Sequence, residues 1–294
     1  MNNRIRIPLP IIFLLIFSGL TILGIYYSYK LLQPKISASL NPPEGKQIVS
    51  TNSQVIQLAN KAGMTELAKN IFYATNPQID TDRNLFNQHC SAPISKNTVE
   101  LGCYTYDNHI YILNITNPQL SGEMVVVAAH EMLHAVYAKE DIDSQNLINS
   151  EVEIVLQDVK NKNLTAELKQ YNTFEPGQRD NELHSILGTE YASLDIPLEE
   201  HYAKYFLTRN NVVNYSNQFK QVFSSLQSQL TTTIQQIKTV KKQMQLDLST
   251  HNISAYNHLV PQVNTLIISY NDAVQKYNQL SRTLQGPENA LRKQ

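Results

Sequence analysis

Tryptophan is absent from the 294-residue chain, and only two cysteines and nine glycines occur in it. Two cysteines are too few for a disulfide-built scaffold but enough for one staple. So little glycine, with 12 prolines, excludes collagen-like and low-complexity chains. Neither sign of charge is in surplus: 24 basic side chains stand against 25 acidic ones, and only 17% of residues are charged. A net charge near −1 offers no general attraction to a phosphate backbone, so no nucleic-acid partner is expected. Asparagine, glutamine, serine and threonine supply much of the polar surface instead. The length is ample for a buried core in one or two compact domains.

One long apolar run is present. Ile7 to Tyr27 carries no charge, and about 20 residues at 1.5 Å each match the ~30 Å hydrocarbon layer. Tyr26, Tyr27 and Tyr29 stand at its far end, where aromatic side chains favour the interface. No A-x-A-like cleavage site follows, so an uncleaved transmembrane anchor is expected. Arg4 and Arg6 precede the run, whereas Lys30 and Lys35 follow it. That small bias places the amino terminus in the cytoplasm and the rest of the chain outside it. An exported domain would oxidise Cys90 and Cys103, and closing their loop would stabilise the fold by about 3 kcal/mol. The alternative for the pair is two buried thiols in a cytosolic domain.

The chain divides into an anchor (1–30), a tether with Pro34, Pro42 and Pro43 (31–48), a mixed domain (49–210) and a helical hairpin (211–294). Ser50 to Ala74 has helical periodicity, with Val55, Leu58, Ala62, Leu67 and Ile71 apolar, and Gly63 divides it. Leu101 to Ile115 alternates around Asp107-Asn108 and predicts a β-hairpin. Helices follow over Glu123–Ala138, within Asp141–Gln170 (core candidates Leu147, Val152, Ile154 and Leu156), over Asp180–Ala192, and from Pro197 through Tyr205. Asp180 or Asn181 is the candidate cap for the third of these. From Phe219 onward apolar residues recur at intervals of four and three in two runs, separated by Ser249–Asn252. Such a pattern predicts an antiparallel coiled-coil hairpin with arms of about 40 Å. Pro261 is discordant and should bend the second arm or delay its start. The fold class is therefore α+β, predominantly helical, with a small hairpin or sheet.

Val125 to Ala138 reads VVVAAHEMLHAVYA, in which His130, Glu131 and His134 spell H-E-x-x-H. On a helix, residues four apart share a face, so both imidazoles can approach one ion. Glu131 is turned about 100° away, beside the ion, where a carboxylate can accept a proton from a metal-activated water. The motif arises by chance in roughly one such chain per hundred, so its flanks must supply the context. They are apolar or small, and Glu131 is the only acidic or basic residue among them apart from the two histidines. A buried helix carrying a polar trio needs partners for it.

On these residues the chain resembles the zincin metallopeptidases. The resemblance implies His130 and His134 as zinc ligands and Glu131 as catalytic base. A metzincin would carry glycine at 137 and histidine at 140, where this chain has Tyr137 and Glu140. The glutamate-ligand group, thermolysin-like in the broad sense, takes its third ligand from a later helix in an N-E-x-x-S/A-D context. Asn181-Glu182-Leu183-His184-Ser185 matches the first part, which implies Glu182; Glu190 and His184 are the alternatives. Ile186 occupies the aspartate position, so outer support for the first histidine must come from elsewhere. The family mechanism further implies a transition-state donor, for which His201, Tyr205 and His184 are candidates, and a strand within Tyr104–Leu113 that aligns an extended peptide.

The expected activity is a membrane-anchored, extracytoplasmic zinc endopeptidase acting on peptide or protein substrates. One rival is a weak zincin scaffold whose coiled-coil hairpin binds a protein partner. Another is a hydrolase of cell-envelope amide bonds.

Overall fold

The computed structural model describes residues 48–90, 99–158 and 178–285, with the side chains of 156–158 and 285 left aside. The apolar run Ile7–Tyr27, nearly all of the tether, and core candidate Leu156 lie outside this description. Among the described residues no helix is long and apolar enough to cross a membrane.

Two short helices come first, α1 (Ser53–Lys61) and α2 (Glu66–Ala74). Asn52 caps α1 by accepting from the Gln54 and Val55 amides, and Thr65 caps α2 through the Ala68 amide. Between them Gly63 has φ +68°, a left-handed conformation that side chains disfavour, which is why the helical pattern splits there.

The expected hairpin is present as β2 (Gly102–Tyr104) antiparallel to β3 (Ile110–Leu113), with Cys103 opposite Tyr111. Asn108 turns the chain at φ 64°. A third strand, β1 (Gln78–Asp80), pairs in parallel with β3, giving the order β1-β3-β2. Three residues are too few to show an alternating pattern, so β1 has no sequence signature. After it, α3 (Arg83–His89) is capped by Asp82 and ends at Cys90, which is disulfide-bonded to Cys103. The staple is therefore formed, and the free-thiol alternative is set aside.

Helix α4 (Glu123–Tyr137) is the centre of the core. Nearly every side chain from Met124 to Val136 is buried, with His130 the partly exposed one. It packs against α1, α2, β2 and β3, and also against α6 (Arg179–Glu190) and α8 (Asn210–Ser249). Helix α5 (Ile142–Asp158) covers α6 and α7 (Ile196–Tyr202). Its core residues are Ile148, Val152 and Val155. Ile154, an expected core residue, is exposed instead, because the buried stripe runs at intervals of four and three through its neighbour. Tyr205 lies beyond the end of α7 rather than on it.

The hairpin is built from α8 and α9 (Ile253–Gln285), which meet along Ile237, Val240, Met244 and Val263, with Tyr256, Leu259, Val260, Ile267 and Tyr270 packed around them. At 40 residues, α8 is about 60 Å long at 1.5 Å per residue. It exceeds the expected 40 Å because it begins at Asn210, and its first turns bury Val212, Val213 and Ser216 against the core. Pro261 sits inside α9, whose start at Ile253 is not delayed. At the far end of α9, Arg83 Nη2 donates to the Leu284 carbonyl.

Candidate metal centre

Spacing on α4 brings the His130 and His134 rings to a centroid distance of 4.7 Å at 77°. Helix α6 packs on that face and delivers Glu182, which is buried. Its Oε2 lies 3.5 Å from His130 Nε2, and its Oε1 lies 3.4 Å from His134 Nε2. One ligand atom from each residue falls within 4.8 Å of the others. Ligands about 2.1 Å from a tetrahedral ion stand about 3.4 Å apart, so two imidazole nitrogens and a carboxylate fit a single cation here.

Outer support falls on His134. Its Nδ1–H donates to Asn181 Oδ1 at 2.9 Å, with Ser185 Oγ 3.4 Å from the same nitrogen. The proton on Nδ1 leaves the Nε2 lone pair aimed at Glu182. Asn181 is thus not the helix cap; the α6 cap position is Gln178, which makes no side-chain capping bond. Ile186, at the aspartate position of the glutamate-ligand pattern, is buried in the apolar core.

The electrostatics suit a cation site. Burial draws His134 below its ordinary range, favouring the neutral ring that ligates. For His130, burial acts downward, but the Glu182 bond and the Glu131 charge outweigh it and carry the ring up to about 9. Burial pushes the Glu131 carboxyl up to about 8, against the opposing pull of His130. The Tyr104 backbone N–H also lies near Glu131 and draws its carboxyl slightly down. Strand β2 passes directly over it: a Cβ on Gly102 would lie 2.3 Å from Val127 Cγ1 and 2.9 Å from Glu131 Oε1. Neither contact has a signal in the sequence, because each is made by backbone.

The remaining candidates are engaged elsewhere. His184 and His201 face each other, Nε2 to Nε2, at 2.8 Å. The Tyr202 hydroxyl donates to the His184 carbonyl at 2.6 Å. The Tyr205 hydroxyl donates to Glu140 Oε1 at 2.9 Å, so the residue at the metzincin histidine position is a hydrogen-bond acceptor for the core. His184, His201 and Tyr205 thus form a buried layer of their own. Glu190, the alternative third ligand, pairs with Lys220 on α8.

Compared with protein-family models, curated proteins and solved structures, the chain matches none. The case for the centre is therefore its geometry and the chemistry of its donors.

Proposed function

We propose that the chain is a membrane-anchored, extracytoplasmic zinc endopeptidase of the glutamate-ligand zincin type. The observation that carries this reading is the approach of Glu182 to both ring nitrogens, 3.5 and 3.4 Å away, from a helix distant in sequence. Two imidazoles and one carboxylate are the donor set of catalytic zinc sites that keep a fourth position for water. His130, His134 and Glu182 would hold the zinc ion, which would supply Lewis acidity toward a carbonyl and a water.

The chain's own groups do the rest. Glu131 would act as the base, accepting a proton from the attacking water and returning it to the leaving amine. Asn181 fixes the His134 ring. Among the described residues strand β2 is an edge of its sheet, and its main-chain groups apart from the Tyr104 N–H offer pairing to an extended peptide. The Cys90–Cys103 bond supports an oxidising compartment, and the run Ile7–Tyr27 supports anchorage.

The test compares residues 41–294 as wild type, His134→Ala and Glu131→Gln. The wild type should hold one zinc per chain and cleave peptides. His134→Ala should lose the metal. Glu131→Gln should keep the metal and lose roughly 10²–10⁴-fold in turnover. A metal-loaded wild type that cleaves only cell-wall amides would replace the peptide substrate, and one that cleaves nothing would favour the scaffold reading.

A further inference from the structure

Resting on the reading of Glu131 as the base, we propose that the Cys90–Cys103 disulfide is a positioning device: it holds β2 against the Glu131 carboxylate from behind. Side chains alternate along a strand, so neighbouring residues face opposite ways. Gly102 faces α4 and lies against Val127 and Glu131. Cys103 faces the other way, into the cluster of Phe86, Cys90 and Leu113. The next residue, Tyr104, has its backbone N–H near Glu131. The two contacts that β2 makes with the carboxylate therefore flank the bridged cysteine.

The strand needs such a hold. It has three residues and, among the described residues, pairs on one side only, with β3. Short edge strands open readily when little else fixes them. Helix α3 grips this one twice. At its carboxyl end the disulfide takes Cys103; at its amino end Arg83 Nη1 donates to the Glu100 carbonyl at 2.8 Å, just before the strand begins. None of His130, His134 and Glu182 lies on β2 or α3. Releasing the grip should thus misplace the base while leaving the metal ligands as they are. A simple staple would instead affect stability alone.

The experiment uses the full chain in lipid nanodiscs, comparing wild type with Cys90→Ala/Cys103→Ala. Three quantities are read: zinc affinity by chelator competition, hydrogen exchange at the Tyr104 amide, and kcat and KM on a fluorogenic peptide. Zinc affinity should stay within about twofold, since the first ligands are untouched. Tyr104 exchange should rise at least roughly tenfold. The kcat should fall by about 10²-fold with KM little changed, as for a misplaced catalytic group. Unaltered exchange and kcat would overturn the proposal, as would loss of zinc in parallel with exchange protection in a variant that keeps its fold.

Two controls keep it decisive. If the double variant does not fold, reduction of the assembled protein by a phosphine gives the same release; the disulfide becomes two thiols and the phosphine becomes its oxide, with water supplying oxygen and protons. Faster Tyr104 exchange then supports the device, and unchanged exchange overturns it. If the wild type binds zinc but cleaves nothing, the endopeptidase reading fails by itself, and the Tyr104 readout still decides whether the disulfide seats the carboxylate.

Discussion

Asn181 Oδ1 accepts from His134 Nδ1 at 2.9 Å, and Asn181 is the residue immediately before Glu182. One stretch of α6 thus orients a ligand on α4 and supplies the next ligand itself. Asn181→Ala should lower zinc affinity roughly 10–100-fold, measured by competition with a chromogenic chelator. Far-ultraviolet circular dichroism should be unchanged. Affinity equal to wild type would remove Asn181 from the site.

Gly188 lies where α6 meets α4 and α7. A Cβ there would stand 2.5 Å from Leu133 Cδ1 and 2.7 Å from Tyr202 Cε1, both in fully buried side chains. Alanine gains about 1 kcal/mol over glycine in a helix interior. Overpacking a filled core costs typically 1–3 kcal/mol, and here two contacts must yield. Gly188→Ala should therefore lower the melting temperature; a rise would mean that helix propensity wins.

Acid should unfold the protein partly through His201. Unfolded, an imidazole titrates near 6.5; folded, burial and then the nearby Lys204 charge hold His201 down to about 3. Between those values the unfolded chain binds a proton that the folded ring refuses. This contribution is fully present above pH 6.5 and is lost as pH falls toward 3, at about 1.4 kcal/mol per unit. The ring packs against His184, Tyr202 and Tyr205, and among the described residues no acidic partner offsets the cost. Urea midpoints taken from pH 7 to pH 4.5 should decline less steeply in His201→Gln. Parallel declines would assign the acid sensitivity elsewhere.

Ile237 belongs to the apolar cluster shared by α8 and α9, separate from the residues around α4. Ile237→Ala should cost about 2–5 kcal/mol locally, seen as faster amide exchange in both arms. Zinc content should not change. If it falls, the hairpin seam and the metal centre share one cooperative unit.

What could be read from the sequence follows from the range of the interactions. H-E-x-x-H is local to one helix, so spacing alone brings His130 beside His134. The hairpin seam repeats over many turns, and its periodicity is visible for the same reason. The β2–β3 pair is legible through Asp107-Asn108. By contrast, β1 depends on a parallel partner 33 positions away (Gln78 with Tyr111), and nothing local announces it. The exposure of Ile154 depends on which side of α5 meets α6 and α7. The Gly102 contact is invisible for another reason: it consists of a missing side chain, and a glycine in a strand gives no hint of which carboxylate it admits. Asn181 stands out in the sequence as a candidate cap and as the start of the Asn181–Ser185 pattern, but its partner, a ring on another helix, is set by packing.

The path of α8 and α9 also governs what happens to a severed chain. The polypeptide leaves the core beyond Ser216 and returns at Leu284, where Arg83 holds it. The turn around His251, exposed and at positive φ, joins the two arms of this excursion. A protease that nicks it would yield two fragments that copurify, one retained by the buried start of α8 and the other by the end of α9. The same turn is the natural port for splicing in a reporter without disturbing His130, His134 or Glu182.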